Sequence, residues 1–317
     1  MISFKKIVKP ASLILAIASL IGSYPFASAQ SAPVKIVVAD AKTTHHLNLY
    51  VAQDLGIFKK YNLDVSIVPV ADLAAARDLV VSGQADVFWS CPTVAIAAIA
   101  NGAPIKIISQ VKKPCTSVLL VPQGSSIIKY SDLKDKNIAG ISPTCESVIA
   151  LSVAAKRNGG QFNLQKLAGG PALAALEAKQ VDGAILEEPQ ASIAELKGYK
   201  VLFKEAAENI PCRTINSRNA FLKSNAKDLK TFIKAVGEAN AIILSNPVAP
   251  NIVDIAVKYT GAPVEAIKYG NHRLKFRTNI DKPGLFLLGN ELIELKNIKE
   301  NPGNKLYADE FRGITWN

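Results

Sequence analysis

The chain has 317 residues, of which 49% are hydrophobic and 20% charged, with a net charge of +11 and four cysteines. This length suffices for one large or two ordinary domains with buried cores, and the composition excludes a disordered chain or a fibre. Only the N-terminal segment is apolar enough to enter a membrane, which excludes a polytopic membrane protein. The basic residues are scattered and form no stripe interleaved with aromatic residues, so we expect no nucleic-acid partner.

The first 29 residues are typical of an export signal. Three lysines precede a short apolar run, Ala11–Gly22, and Ala27-Ser28-Ala29 has the small-x-small pattern of a cleavage site. The apolar run is shorter than the roughly 20 residues that span a bilayer, which makes an uncleaved anchor the weaker alternative. We therefore predict a cleaved signal peptide over residues 1–29 and a periplasmic location.

From Val34 onward, short apolar runs alternate with helical stretches, which is the pattern of βαβ units around a mainly parallel sheet. The first set of predicted strands lies at 34–39, 63–70, 86–89, 105–111 and 117–122, with helices at 49–59, 73–82 and 92–100. A second set begins near Gly124, with strands at 137–141, 165–167, 182–186, 199–204 and 213–216 and helices at 147–157, 171–179 and 189–196. Further helices are predicted at 226–245, 248–260, 263–270 and 284–297. No long linker separates the two sets, which favours two closely hinged lobes.

Six segments follow one another in a characteristic order. They are LYVAQDLGIFKKYNLDVSIVPV (49–70), DLVVSGQADVFWS (78–90), NGAPIKIISQV (101–111), SDLKDKNIAGISP (131–143), ALAALEAKQVDGAILEEPQ (172–190) and FLKSNAKDLKTFIKAV (221–236). Together they resemble the solute-binding proteins of ABC transporters of the nitrate, taurine and alkanesulfonate type, a group that includes thiamine-precursor binders. The resemblance implies an α/β, two-lobe periplasmic-binding-protein (type II, Venus flytrap) fold with a ligand cleft between the lobes.

In this fold, lobe one is expected to comprise residues 33–115 plus 219–317, and lobe two residues 116–218. The partners that the resemblance implies are a small-molecule solute and an inner-membrane ABC permease with its ATPase subunit. We expect a monomer without a cofactor.

The strand-to-helix loops are the expected ligand contacts, because ligands of open α/β sheets lie beyond the carboxyl ends of the strands, where helix N-termini present free N–H groups. Four loops meet this description: 43–46, 89–91, 142–146 and 187–189. The candidate ligand-binding residues in them are Thr44, His45, Trp89, Ser90, Cys91, Ser142, Thr144, Cys145 and Glu188. Alternative roles remain open, since the hydroxyl residues also fit helix N-caps, Trp89 could pack in the core, and Glu188 could latch the lobes together.

Two of the three histidines, His45 and His46, are adjacent in the chain. Adjacent side chains cannot both face one way, so we predict that one reaches the cleft and the other lies on the surface. The third, His272, is surrounded by basic residues and is also predicted to lie on the surface.

The cysteines, Cys91, Cys115, Cys145 and Cys212, allow more than one interpretation. In an exported protein, cysteines whose sulfurs lie close are expected to form disulfides, and small buried thiols are the alternative. Cys91 and Cys145 fall in loops that should face each other across the cleft, where a disulfide would lock the lobes shut. A further alternative is that His45, Cys91 and Cys145 bind a soft metal ion or metal complex, because such metals prefer thiolate and imidazole.

The sequence gives little support for catalysis. It has no G-x-S-x-G elbow, P-loop or H-E-x-x-H motif. The resemblance extends to thiamine-pyrimidine synthases, but the Cys-dense iron motif of those enzymes has no counterpart in this sequence. We therefore predict a non-enzymatic substrate-binding subunit of an ABC importer, which delivers a sulfonate-, nitrate- or thiamine-precursor-like solute to the permease.

Overall fold

The structure, a computed structural model, describes Met1 and residues 32–311. The predicted signal peptide, apart from Met1, lies outside the described residues. All helices and strands given below fall within a single unit that begins at Pro33.

The first sheet has the strand order β2-β1-β3-β10-β4. Its strands are β1 (Val34–Asp40), β2 (Leu63–Pro69), β3 (Val87–Ser90), β4 (Ile105–Lys112) and β10 (Cys212–Arg218). β1 is parallel to β2 and β3, whereas β10 runs antiparallel to both β3 and β4. A late strand is therefore inserted into a sheet built from the start of the chain.

The second sheet repeats this plan with the order β7-β6-β8-β5-β9. Its strands are β5 (Val118–Val121), β6 (Lys136–Gly140), β7 (Phe162–Lys166), β8 (Gly183–Leu186) and β9 (Lys200–Leu202). β6 is parallel to β7 and β8, and β5 is antiparallel to β8 and β9. The chain thus passes between the sheets twice, after β4 and before β10.

Twelve α-helices are present in the described part of the chain. They are α1 (Leu47–Asp54), α2 (Ile57–Lys60), α3 (Leu73–Val81), α4 (Pro92–Ala100), α5 (Glu146–Arg157), α6 (Gly169–Glu177), α7 (Gln190–Leu196), α8 (Glu205–Glu208), α9 (Asn219–Ser245), α10 (Pro250–Thr260), α11 (Val264–Asn271) and α12 (Lys282–Glu294). Local sequence explains several boundaries: the Asp72 carboxylate caps α3, Pro92 occupies the first turn of α4, and Gly261 ends α10 with φ 68°.

The elements lie close to their predicted positions, with four differences. The helix predicted at 49–59 is divided into α1 and α2. α9 begins at Asn219 instead of residue 226, because a turn of helix precedes a kink at Asn225. α8 was not predicted. β10 spans Cys212–Arg218 and belongs to the first sheet, although residues 116–218 were assigned to lobe two; the division into lobes stays a prediction.

The largest apolar core packs α1, α9 and α10 against the first sheet and contains Trp89 and Phe232. A separate core lies on the second sheet around Leu120 and Leu176. Among the described residues, no helix taken alone is long and apolar enough to cross a membrane. α9 and α10 together have that length and composition, but the two helices are bent by 117° relative to each other.

Candidate functional site

The four predicted loops meet between the two sheets. The Thr43 hydroxyl donates to the Glu188 carbonyl over 2.9 Å, which joins the first loop to the fourth. The Cys91 and Cys145 sulfurs, from the second and third loops, are 3.1 Å apart. Each of these cysteines immediately precedes a helix, α4 or α5, so the two helix N-termini point towards one region.

Arg213 is the central charge of this region. It is fully buried, and its Nη1 atom donates to Glu146 Oε1 over 3.1 Å and to the Cys91 sulfur over 2.9 Å. Its Nη2 atom pairs with Glu187. Burial alone would lower the pKa of Arg213, but the neighbouring Cys91, Glu187 and Glu146 raise it. The guanidinium therefore keeps its charge, as a buried arginine paired with carboxylates should.

Glu146 is the matching buried anion. Burial would raise the pKa of its carboxyl, but Arg213 and hydrogen bonds from Cys91 and Cys212 hold that pKa below its usual value. The carboxylate is thus ionised at neutral pH, although its side chain has no exposed surface.

All four cysteines surround this carboxylate as buried, free thiols. Cys212 donates to Oε1 over 3.1 Å, Cys115 contacts the same oxygen at 3.7 Å, and Cys145 donates to Oε2 over 3.4 Å. The structure therefore agrees with the alternative of buried thiols and not with that of disulfides. Burial raises the pKa of the Cys91 and Cys115 thiols, which are protonated at neutral pH.

His45 lies beside this cluster and is completely buried. Its Nε2 atom accepts from the Glu188 backbone N–H over 3.3 Å, so the neutral ring carries its hydrogen on Nδ1. Nδ1 lies 3.5 Å from Glu187 Oε2 and 3.9 Å from the Cys212 sulfur. Burial, reinforced by the charges of Lys112 and Arg213, keeps the pKa of His45 well below its ordinary value, so the ring is uncharged at neutral pH.

The prediction that one of the paired histidines lies on the surface is wrong. His46 is as fully buried as His45, because its Nδ1 atom has a partner, Asp40 Oδ1, at 2.6 Å on the other side of the loop. His272 is exposed, as predicted.

The other candidate residues have varied surroundings. Ser142 Oγ accepts from the Thr144 backbone N–H and lies 2.8 Å from the Thr144 hydroxyl. Thr44 is buried, and its hydroxyl has no hydrogen-bond partner among the described residues. Ser90 accepts from Asn216 and donates to the Cys91 carbonyl.

Trp89 and Glu188 face away from the Arg213 centre. Trp89 lies in the first core, edge-on to Phe232 with the ring centroids 5.9 Å apart. The Glu188 carboxylate accepts from Ser192 and pairs with Arg273 at 3.1 Å. Both placements correspond to the structural alternatives, core packing and a latch.

Two cavities flank the cluster. A small one of ≈ 60 Å³ is lined by Asp72, Leu73, Ala74, Arg77, Cys91, Val94, Ile141, Ser142, Thr144, Cys145 and Lys166. A larger one of ≈ 410 Å³ is lined by Pro114, Cys115, Thr116, Val118, Glu195, Val201, Lys204, Glu208, Arg273 and Lys275. The larger volume is in the range of small-molecule sites, and Thr116 connects it to His45 through a 3.2 Å contact.

Sequence reasoning missed the three charged residues at the centre. Glu146 and Glu187 belong to predicted loops, but their neighbours Cys145 and Glu188 were chosen as ligand contacts. Arg213 was read as an ordinary strand residue. The strand that contains Arg213 is CRTINSR, in which polar residues outnumber apolar ones, so its pattern gave no signal that Arg213 is buried.

The sequence profile described as NMT1/THI5 like matches residues 43–249, more than half of the chain. The chain belongs to the NMT1/THI5-like family. The Saccharomyces cerevisiae protein named 4-amino-5-hydroxymethyl-2-methylpyrimidine phosphate synthase THI13 is 25% identical to this family member over 227 residues. The matched region spans 65% of each chain, so about a third of that relative has no counterpart in the match.

Solved structures give the fold of this family member. The periplasmic aliphatic sulphonate binding protein SsuA of Escherichia coli matches with a TM-score of 0.75 and 18% identity over 88% of this chain and 93% of that one. The periplasmic nitrate-binding protein NrtA of Synechocystis PCC 6803 matches with a TM-score of 0.70 and 14% identity over 86% and 84% of the two chains. These structures confirm the predicted periplasmic-binding-protein fold, and the family match agrees with the predicted resemblance.

Proposed function

We propose that this family member is the substrate-binding subunit of an ABC importer, which captures a small solute between its two lobes in the periplasm and delivers it to an inner-membrane permease. The observation that carries the proposal is the convergence of loops from both sheets on one buried polar centre. A solute that contacts both sides favours the closed arrangement and shifts the population towards it. The names of the two structural neighbours are consistent with this role.

The charges at the centre bear on the class of solute. Arg213 already pairs with two carboxylates, Glu146 and Glu187, so a strongly anionic solute such as a sulfonate or nitrate would meet two acids. An uncharged or weakly basic heterocycle, such as a thiamine precursor, meets no such repulsion. Among the solutes that the resemblance implies, we therefore favour the heterocycle.

The geometry favours binding over catalysis. Cys212 and Glu187 both face the Nδ1 atom of His45. A thiol nucleophile and the acid that orients its base should contact opposite ring nitrogens. In addition, burial raises the pKa of Cys91 and Cys115, so both are protonated thiols at neutral pH. The nucleophile in cysteine catalysis is the thiolate.

A thermal-shift screen tests the proposal, with nitrate, taurine, alkanesulfonates and the pyrimidine and thiazole precursors of thiamine as probes. A solute at 100 times its Kd stabilises the protein by about 2.7 kcal/mol, so we expect Tm to rise with one member of the panel. The rise should disappear in His45→Gln and persist in His272→Gln, the same substitution at an exposed histidine. Small-angle scattering should show compaction with the same solute. A solute that is chemically converted, or a panel without any shift, would contradict the proposal.

A further inference from the structure

Two cysteines and a glutamate at the centre have donor atoms that suit a ligand other than the solute. The Cys91 and Cys145 sulfurs and a Glu146 oxygen all lie within 4.8 Å of one another, and all three residues are buried. Cys91 follows a strand of the first sheet, whereas Cys145 and Glu146 follow a strand of the second. The group therefore joins the two sheets.

Two thiols and a carboxylate form a donor set with a defined preference. Thiolates select d10 cations such as Zn(II) and Cu(I) over Mg(II) or Ca(II). With a metal–sulfur bond of about 2.3 Å, two sulfurs on a tetrahedral ion are about 3.8 Å apart. The observed 3.1 Å separation requires an opening of only about 0.7 Å to reach that value.

The surroundings of the three donors suit a bound cation. Arg213 and Cys212 contact Glu146 Oε1, whereas Oε2 faces Cys145 and is the oxygen available to a metal. The N–H of Arg213 that points at the Cys91 sulfur would stabilise that sulfur as a thiolate, as hydrogen bonds to metal ligands generally do. Loss of one proton from each thiol would give two negative charges, which balance the charge of a divalent ion.

The small cavity has room for a fourth ligand. Its ≈ 60 Å³ lies against Cys91 and Cys145 and is also lined by Ser142 and Thr144. This volume is sufficient for a water molecule with polar partners. A metal held by three protein donors and a water is the usual arrangement of an open tetrahedral site.

We propose that Cys91, Cys145 and Glu146 bind one thiophilic d10 cation, Zn(II) or Cu(I), between the two sheets. The carboxylate takes the place that the sequence analysis gave to His45, because His45 faces Glu187 and Cys212 instead. A cation at this position holds the second and third loops together and stabilises the closed arrangement. The proposal goes beyond solute capture, since the cation binds whether or not a solute is present.

The test is a titration of the reduced, metal-stripped protein with Zn(II) against a chromophoric chelator and, without oxygen, with Cu(I) against bicinchoninate. We expect one equivalent of one of these ions to bind. Removal of a hydrogen bond to a metal ligand costs 10- to 100-fold in affinity, so Cys145→Ser, which removes a ligand, should lose more than about 100-fold. Cys115→Ser is the matched control, because Cys115 contacts the ligand Glu146 only at Oε1, and it should lose no more than the roughly 10- to 100-fold that loss of a contact to a ligand costs.

X-ray absorption of the wild-type complex keeps the test independent of variant folding. We expect two sulfur and two lighter donors around Zn(II), or two sulfurs and at least one lighter donor around Cu(I). The proposal is overturned if the protein takes neither ion from the competing chelator. It is also overturned if Cys115→Ser and not Cys145→Ser abolishes binding, or if four sulfurs surround the ion. A solute-induced Tm shift in the absence of cation binding would leave the transport proposal standing and this one refuted.

Discussion

Glu187 and Glu188 are neighbours in one loop, yet they pair with different arginines in different surroundings. Glu187, whose side chain is 13% exposed, pairs with Arg213, which has no exposed side-chain surface and also pairs with the fully buried Glu146. Glu188, whose side chain is 1% exposed, pairs with Arg273, whose side chain is 28% exposed and also pairs with Glu195. Each arginine therefore bridges two glutamates, and the two sets differ mainly in the exposure of the arginine.

The Arg213 set lies in the candidate site, whereas the Arg273 set connects two helices outside it. Charges in a buried set are expensive to desolvate, so such a set is weak evidence for stabilisation. The Arg213 set lies among the thiols and beside His45, a position that suits ligand binding. The Arg273 set connects the end of α11 to α7 near the surface, where solvent screens the Glu195 pair more than the pair with the buried Glu188.

The largest expected effect is that of Arg213→Met. Glu146 would be left as a buried charge without its partner, and breaking a buried pair in this way costs about 3–5 kcal/mol. Urea unfolding of the reduced protein should show this loss in the free energy of unfolding. Adding Glu146→Gln to the variant should restore part of it; a loss below about 1 kcal/mol in the single variant would mean that the pair behaves like an exposed one.

Arg273→Met should have a smaller effect, about 1–2 kcal/mol, because Glu188 keeps its two hydrogen bonds from Ser192 and the Glu195 pair is partly hydrated. The same unfolding measurement at low and high salt distinguishes the two arginines. The Arg273 effect should shrink in about 1 M salt, where the screening length falls to about 3 Å, whereas the Arg213 effect should persist. Equal salt sensitivity at the two sites would contradict the comparison.

The smallest expected effect is the pH dependence that Glu188 contributes. Burial raises the pKa of Glu188 more than Ser192 and Arg273 lower it. The folded protein therefore binds this proton more tightly than the unfolded chain, and stability falls as pH rises from about 4.3, the unfolded value, through the raised folded pKa. Glu188→Gln should flatten this part of the decline in a Tm series from about pH 4 to 7. Glu195→Gln, which removes the other partner of Arg273, should retain it.

Most of the elements could be predicted because local sequence determines them. The βα alternation places β1 to β6 within a few residues, and Asp72 and Pro92 mark helix starts that the structure confirms. The insertion of β10 between β3 and β4 could not be predicted, because strand order depends on pairing between residues 100 or more positions apart. The register of that pairing could not be predicted from the sequence either.

The site could be predicted at the level of loops but not of side chains. The carboxyl ends of the strands indicated the four loops, and the approach of Cys91 to Cys145 follows from that geometry. Which of Glu187 and Glu188 pairs with Arg213 is decided by packing on both sides of the loop. Arg213 lies near the start of β10 and has a left-handed φ of 61°, which is uncommon outside glycine. The alternation of a regular strand therefore could not indicate the direction of the Arg213 side chain.

The position of β10 also has a consequence for the order of folding. The second sheet is built from one continuous stretch, residues 118–202, and can form as soon as that stretch has been synthesised. β4, the edge strand of the first sheet, is joined to that sheet through β10 and must wait for residues 212–218. Such distant pairing is slow to form. Arg213 arrives with β10, so the charged centre is among the last parts of the protein to assemble.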